Sequence, residues 1–151
     1  MFIMSPSQKC LNLIERFEGC VLTAYRDAVR SNDHPIGVLT IGYGSTSNVT
    51  EGMTITQEQA EERLRIDIEA AARCVDGKVG PPITQNQFDA LVSFVFNLGC
   101  AAFSTSTLLR KINSGDISGA ANEFGRWVRA GDKVLPGLVS RRAAEKSLFQ
   151  S

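Results

Sequence analysis

Histidine is nearly absent: His34 is the only one in 151 residues. Cys10, Cys20, Cys74 and Cys100 form no C-x-x-C pair, so a zinc site has almost nothing to draw on. Whether these thiols are reduced or paired stays open at this level. Net charge is also missing, since 16 Lys and Arg balance 16 Asp and Glu. That removes the usual electrostatic case for nucleic acid or an anionic membrane surface as partner. Long apolar runs are absent too. The longest are four residues, Met1 to Met4 and Cys100 to Phe103, against about 20 for a spanning helix, which excludes stable membrane insertion by a helix. Near the N-terminus stand a single Lys9 and no stretch of signal-peptide length, which predicts a chain that accumulates where it is made.

What is present is an ordinary globular composition, 43% hydrophobic and 21% charged, which predicts one domain over 1–151. The zero net charge hides a gradient. Residues 1–50 carry 4 basic and 4 acidic groups, 51–100 carry 4 and 8, and 101–151 carry 8 and 4. The basic last third could face an acidic polymer, and reads better as a solvated helix face.

Ser5 as cap and Pro6 at the first position predict an opening helix with Cys10, Ile14 and Phe17 at helical spacing, stopped by Gly19. From Val21 to Thr50 the helical period is lost, and Val38-Leu39-Thr40-Ile41-Gly42-Tyr43-Gly44 reads as a short strand entering a turn. Thr56-Gln57-Glu58-Gln59 is a capping box for a helix to about Cys74, and Thr84-Gln85-Asn86-Gln87 repeats it for the most apolar helix, which Gly99 closes. Further helices are expected over about 105–113, from Asp116 or Ile117 to Arg129, and from Leu138 to Phe149. The fold class is therefore α+β: an N-terminal helix, a small antiparallel sheet region and a C-terminal helical bundle.

Glu18 falls in the last turn of the first helix and Asp27 lies nine positions on. A carboxyl at a helix C-terminus sits beside the negative end of the dipole, a setting that suits a general acid. A more exposed Asp27 would stay ionised and polarise water. Glycosidic cleavage needs two carboxyls in such different settings, one to protonate the leaving oxygen and one to support attack. Among 16 acidic residues the same spacing also fits two surface carboxylates.

The surrounding residues narrow this. Glu18-Gly19, Ala24-Tyr25-Arg26-Asp27 and Thr40-Ile41-Gly42-Tyr43-Gly44 resemble, in order, the active-site signature of phage-type lysozymes, glycoside hydrolase family 24. Downstream, the run from Gln87 to Gly99, Ser106 to Asn113 with Gly115-Asp116, and Gly137 to Arg142 resemble later family segments, so the likeness spans about 9–149. The resemblance implies the lysozyme fold and an endolysin activity, hydrolysis of the β-1,4 bond between N-acetylmuramic acid and N-acetylglucosamine in peptidoglycan, with an inverting course. It implies Glu18 as proton donor, Asp27 as the carboxylate that activates water and Thr40 as a hydroxyl that holds that water. Gly42, Tyr43 and Gly44 are expected at the floor of the glycan groove, with Arg142 also at the substrate and Arg141 or Arg142 reaching Glu18. No metal or cofactor is implied. The expected setting is a monomer that waits in the host cytoplasm and needs a holin to reach the wall. A lytic transglycosylase and a catalytically idle wall-binding module are the alternatives.

Two departures from the family pattern stand out. Asp27 precedes Thr40 by thirteen positions where the family has six, so Val29 to Gly37 holds an extra loop of about seven residues. Asp33 in that loop is a rival second carboxylate. Asp27 is preferred for its spacing from Glu18 and its Ala-Tyr-Arg context, while the Ser-Asn-Asp-His-Pro run around Asp33 reads as a turn. Ser45 stands where the family often has histidine, and His34 reads as a solvated loop residue. Trp127 could stack on a sugar ring, but near Phe124 on an amphipathic helix it reads better as core.

Overall fold

In the computed structural model, which describes residues 4–27 and 37–151, two units form around separate sets of side chains. One holds residues 18–67, and the other holds the N-terminal residues to Phe17 together with 68–151. Asp33 and His34 lie outside the described residues.

The smaller unit starts with the last residue of α1 (Gln8–Glu18) and contains β1 (Val21–Arg26), β2 (Leu39–Gly42) and the first half of α2 (Gln57–Lys78). β1 and β2 pair antiparallel, Tyr25 opposite Thr40 and Arg26 opposite Leu39, with an irregularity between Val21 and Tyr25. Where β1 leaves β2 it turns to residues 53–55: Ala24 N–H donates to Met53 O at 2.8 Å and Ile55 N–H to Leu22 O at 2.9 Å. α2 begins on the capping box foreseen from sequence. Gln59 N–H donates to Thr56 Oγ1 (3.1 Å) and Thr56 N–H to Gln59 Oε1 (2.9 Å), so two otherwise unpaired donors are satisfied. Its inner face buries Ala60 and Leu64, with Ala60 beside Gly42 of β2.

The larger unit is helical. α3 (Gln85–Leu98) opens on the second reciprocal capping box, Thr84 with Gln87, and ends at Gly99. It is flanked by α4 (Cys100–Ser104), α5 (Thr107–Asn113), α6 (Ile117–Glu123) and α7 (Pro136–Gln150). Phe94 anchors the core edge-on to Phe103, Phe124 and Trp127, with centroids at 6.2, 5.5 and 5.5 Å, as the ring quadrupoles prefer. Trp127 thus belongs to the aromatic core. A disulfide joins Cys74 in α2 to Cys100 in α4, while Cys10 is buried and Cys20 exposed as free thiols.

Three expectations shift. α1 starts at Gln8, because Ser7 gives both its N–H (3.0 Å) and its hydroxyl to the buried carboxylate of Asp89 on α3, which holds the chain out of helix up to that point. The helix expected to reach Arg129 stops at Glu123, tightens into a single 3-10 turn over Phe124–Arg126, and gives way to a hairpin of β3 (Arg129–Ala130) and β4 (Lys133–Val134). Gly131, at φ +61°, supplies the left-handed turn residue that a two-residue hairpin requires. α7 starts at Pro136, two residues earlier than expected, with proline at the position where its missing N–H costs nothing.

Candidate active site

Glu18 closes α1, and Gly19 at φ +64° turns the chain out of the helix into β1. Asp27 comes directly after β1. Its N–H donates to Val38 O at 2.9 Å, which extends the ladder one step and pins the residue. Because side chains alternate along a strand, Tyr25 and Asp27 share one face, and Thr40, opposite Tyr25, joins them as the diagonal neighbour of Asp27. The register therefore brings Asp27 and Thr40 together even though nine residues, 28–36, run between the two arms.

Thr40 is 2% exposed, and its hydroxyl donates to Val38 O at 2.9 Å. With its proton committed, Oγ1 faces any further partner as an acceptor only. Glu18 is brought in from the other side by the turn after β2. Gly44, at φ +77°, passes so close that a Cβ there would sit 2.8 Å from Glu18 Oε2. Tyr25 registers both acids. Its hydroxyl is pushed above its ordinary range by burial first, then by the negative charge of Asp27, then by that of Glu18. Glu18 and Asp27 thus both act by their charge on Tyr25, and Thr40 is its cross-strand partner within the smaller unit. Tyr25 itself received no role from sequence. The signal was its place two residues before Asp27 on an alternating strand.

Of the residues expected at the substrate, Gly42 is buried at φ +66°, and a Cβ on it would meet Ala60 Cβ at 3.4 Å and Ile55 Cδ1 at 3.5 Å, ordinary contacts, so it is the left-handed backbone that calls for glycine there. Tyr43 is 8% exposed and accepts a hydrogen bond from Gln57 Nε2 at 2.9 Å. Of the three, Gly44 alone is exposed and borders a carboxyl.

Arg142, expected at the substrate, is 1% exposed in the helical unit. It donates to Glu145, to Asn97 Oδ1 and to Trp127 O (2.9 Å), while Arg141 Nε reaches Glu145 Oε2 at 3.3 Å and Ser93 Oγ donates to the same carboxylate at 2.6 Å. A guanidinium buried that deeply must be matched by acceptors, and α3 and α7 supply them. The described contacts of Arg142 are with the core of the helical unit, a setting that sequence alone could not distinguish from a groove.

Ser45, in the place of the family's histidine, lies where its hydroxyl favours the charged form of Asp67, and Arg63 Nη1 reaches Ser45 Oγ at 3.4 Å. Burial raises Asp67 above the ordinary carboxylate range, more than Ser45 and Arg63 lower it. Among the described residues no three His, Cys, Asp or Glu side chains converge as a metal site would, and no helix is long and apolar enough to cross a membrane.

Comparison with known proteins points one way. The Phage lysozyme family profile matches residues 15–145. An endolysin of Acyrthosiphon pisum secondary endosymbiont phage 1 is 49% identical over 152 residues, which cover 98% of this chain and 99% of that one. An endolysin of Bacillus phage PZA is 48% identical over 98% of this chain, which spans 56% of that longer protein. Among solved structures, the muramidase domain of SpmX from Asticaccaulis excentricus matches with a TM-score of 0.87 at 40% identity, covering 97% of this chain and 98% of its own.

Proposed function

The chain belongs to the phage lysozyme family, and from that premise we propose that it is an endolysin, a glycoside hydrolase that opens the β-1,4 bond between N-acetylmuramic acid and N-acetylglucosamine in bacterial peptidoglycan and so lyses the host cell. The observation that supports this most is that Tyr25 pairs across the sheet with Thr40 and feels the charge of both Asp27 and Glu18, with Gly44 against the glutamate.

In the proposed mechanism Glu18 gives its proton to the glycosidic oxygen as the bond to the anomeric carbon lengthens, and the leaving sugar departs as a neutral alcohol. A water molecule supplies the new bond. To attack through a lone pair, that water needs both its hydrogens held by acceptors. Asp27 takes one, and Thr40 Oγ1 takes the other, because its own proton is already given to Val38 O. As the water oxygen bonds to the anomeric carbon, its spare proton passes to Asp27, and solvent exchange restores both carboxyls. A transglycosylase has no use for such a pair of acceptors, and an idle wall-binding module has no use for any of the three groups.

Residues 1–151 act as one muramidase domain and as a monomer, made in the host cytoplasm and reaching the wall through a holin lesion. Expression of the chain alone, with and without an added membrane permeabiliser, tests that route: clearing only with the permeabiliser supports it, and spontaneous lysis refutes it. The chemistry is tested by turbidity loss on outer-membrane-permeabilised cells. Glu18→Gln and Asp27→Asn are each expected to slow clearing by about 100-fold or more. Clearing at the unaltered rate by Glu18→Gln would end the hydrolase reading.

A further inference from the structure

The two arms that carry Asp27 and Thr40 are closed at their base by a contact that depends on one missing side chain. Gly37 is buried at φ +89°, and a Cβ built on it would lie 2.0 Å from Asp27 O and 3.1 Å from Asp27 C. No L residue fits there without moving the Asp27 peptide. On its other side that residue is held by its N–H to Val38 O at 2.9 Å. The neighbouring Arg26 fastens the joint: Nη1 donates to Gly37 O at 3.2 Å, while Nε (2.9 Å) and Nη2 (2.5 Å) hold Glu51 Oε1. Both faces of the Asp27 backbone are therefore pinned by residues 37 and 38, beyond the nine residues of 28–36.

We propose that Gly37 is a positioning residue for catalysis: by letting the Asp27 carbonyl occupy the space of its absent side chain, it fixes the direction of the Asp27 carboxylate toward the water shared with Thr40. The proposal rests on Asp27 being the water-holding carboxylate.

The test is a double-mutant cycle of Gly37→Ala with Asp27→Asn, in the full chain, measuring kcat and KM on soluble glycan strands from purified peptidoglycan. An added methyl must push the Asp27 peptide by an ångström or so, and a displacement of that size at a reacting group costs about 10- to 100-fold. Gly37→Ala is thus expected to lower kcat by about 10- to 100-fold with KM within about twofold of the parent. In the Asp27→Asn background the same change is expected to cost almost nothing, because the group it acts through is gone. Equal losses in both backgrounds, or an unchanged kcat for Gly37→Ala, overturn the proposal. Full activity of Asp27→Asn on its own overturns it by a different route, by removing its premise. If circular dichroism shows Gly37→Ala unfolded, Arg26→Gln carries the same cycle, since it unfastens the Gly37 carbonyl without adding an atom beside the Asp27 carbonyl. A kcat loss that vanishes in the Asp27→Asn background supports the proposal, and a full kcat refutes it.

Discussion

Gly44 runs its backbone against Glu18, so that a methyl group on the glycine would sit 2.8 Å from the glutamate Oε2. The turn after β2 thereby limits where the acid can point. Gly44→Ala should carry two separable costs. The left-handed backbone at φ +77° disfavours alanine by about 1 kcal/mol, read from urea unfolding. The displaced carboxyl should lower kcat by about tenfold or more. Loss of stability with full kcat would mean that the contact does not orient the acid.

Thr40 offers a sharper discrimination, because its hydroxyl donates to Val38 O and faces the proposed water as an acceptor. Thr40→Val keeps the shape and removes the oxygen, and should lower kcat by about 100-fold. Thr40→Ser keeps the oxygen and should hold activity within about tenfold of the parent. Equal rates for the valine and serine variants on soluble glycan would contradict the assignment.

Asp67 sets a pH dependence of stability. Burial disfavours its charged form in the folded chain more than the Ser45 hydrogen bond and Arg63 favour it, so its folded value lies above the ordinary 3.8. The folded state therefore binds this proton more tightly than the unfolded chain does. The resulting stability is fully present below pH 3.8 and is lost as pH rises through the raised folded value. Asp67→Asn keeps an acceptor for Ser45 and abolishes the loss. Its urea midpoint should exceed that of the parent at pH 7 and approach it at acid pH, and a lower midpoint at pH 7 would refute the direction.

The four cysteines should separate by thiol titration. Cys20 is exposed, whereas Cys10 is fully buried and its thiol is pushed up, by burial first and then by Asp89 and Glu145. One thiol should react in the native protein, two after unfolding without reductant and four after unfolding with it. The Cys74–Cys100 bridge closes a 26-residue separation, so replacing both with serine should lower stability by about 3 kcal/mol. Four reactive thiols without reductant would show the bridge to be absent.

Features set by neighbours in the chain were legible in the sequence, and features set across it were not. The boxes at Thr56 and Thr84 and the stops at Gly19 and Gly99 each depend on three or four adjacent residues, and each stands where it was expected. The start of α1 was missed because it depends on Asp89, 82 positions away from Ser7. The core contacts of Arg142 were not foreseen, because a basic residue near a family motif looks the same whether it faces a glycan or a buried Glu145. Glu18, Asp27 and Thr40 could be named from their motif, but their grouping rests on the Tyr25–Thr40 register and on the Gly44 turn. Those pairings carry no local signature. Gly37 was counted only as the end of an added loop, since a glycine's close approach to another backbone leaves no mark in the sequence.

The most direct measurement is mass spectrometry of the glycan fragments released from purified peptidoglycan in water enriched in heavy oxygen. Attack by a water held between Asp27 and Thr40 predicts N-acetylmuramic acid at the new reducing ends, each carrying one heavy oxygen. That signal should disappear in Glu18→Gln. Anhydro ends lighter by one water and free of label would contradict hydrolysis, whatever the rate of clearing.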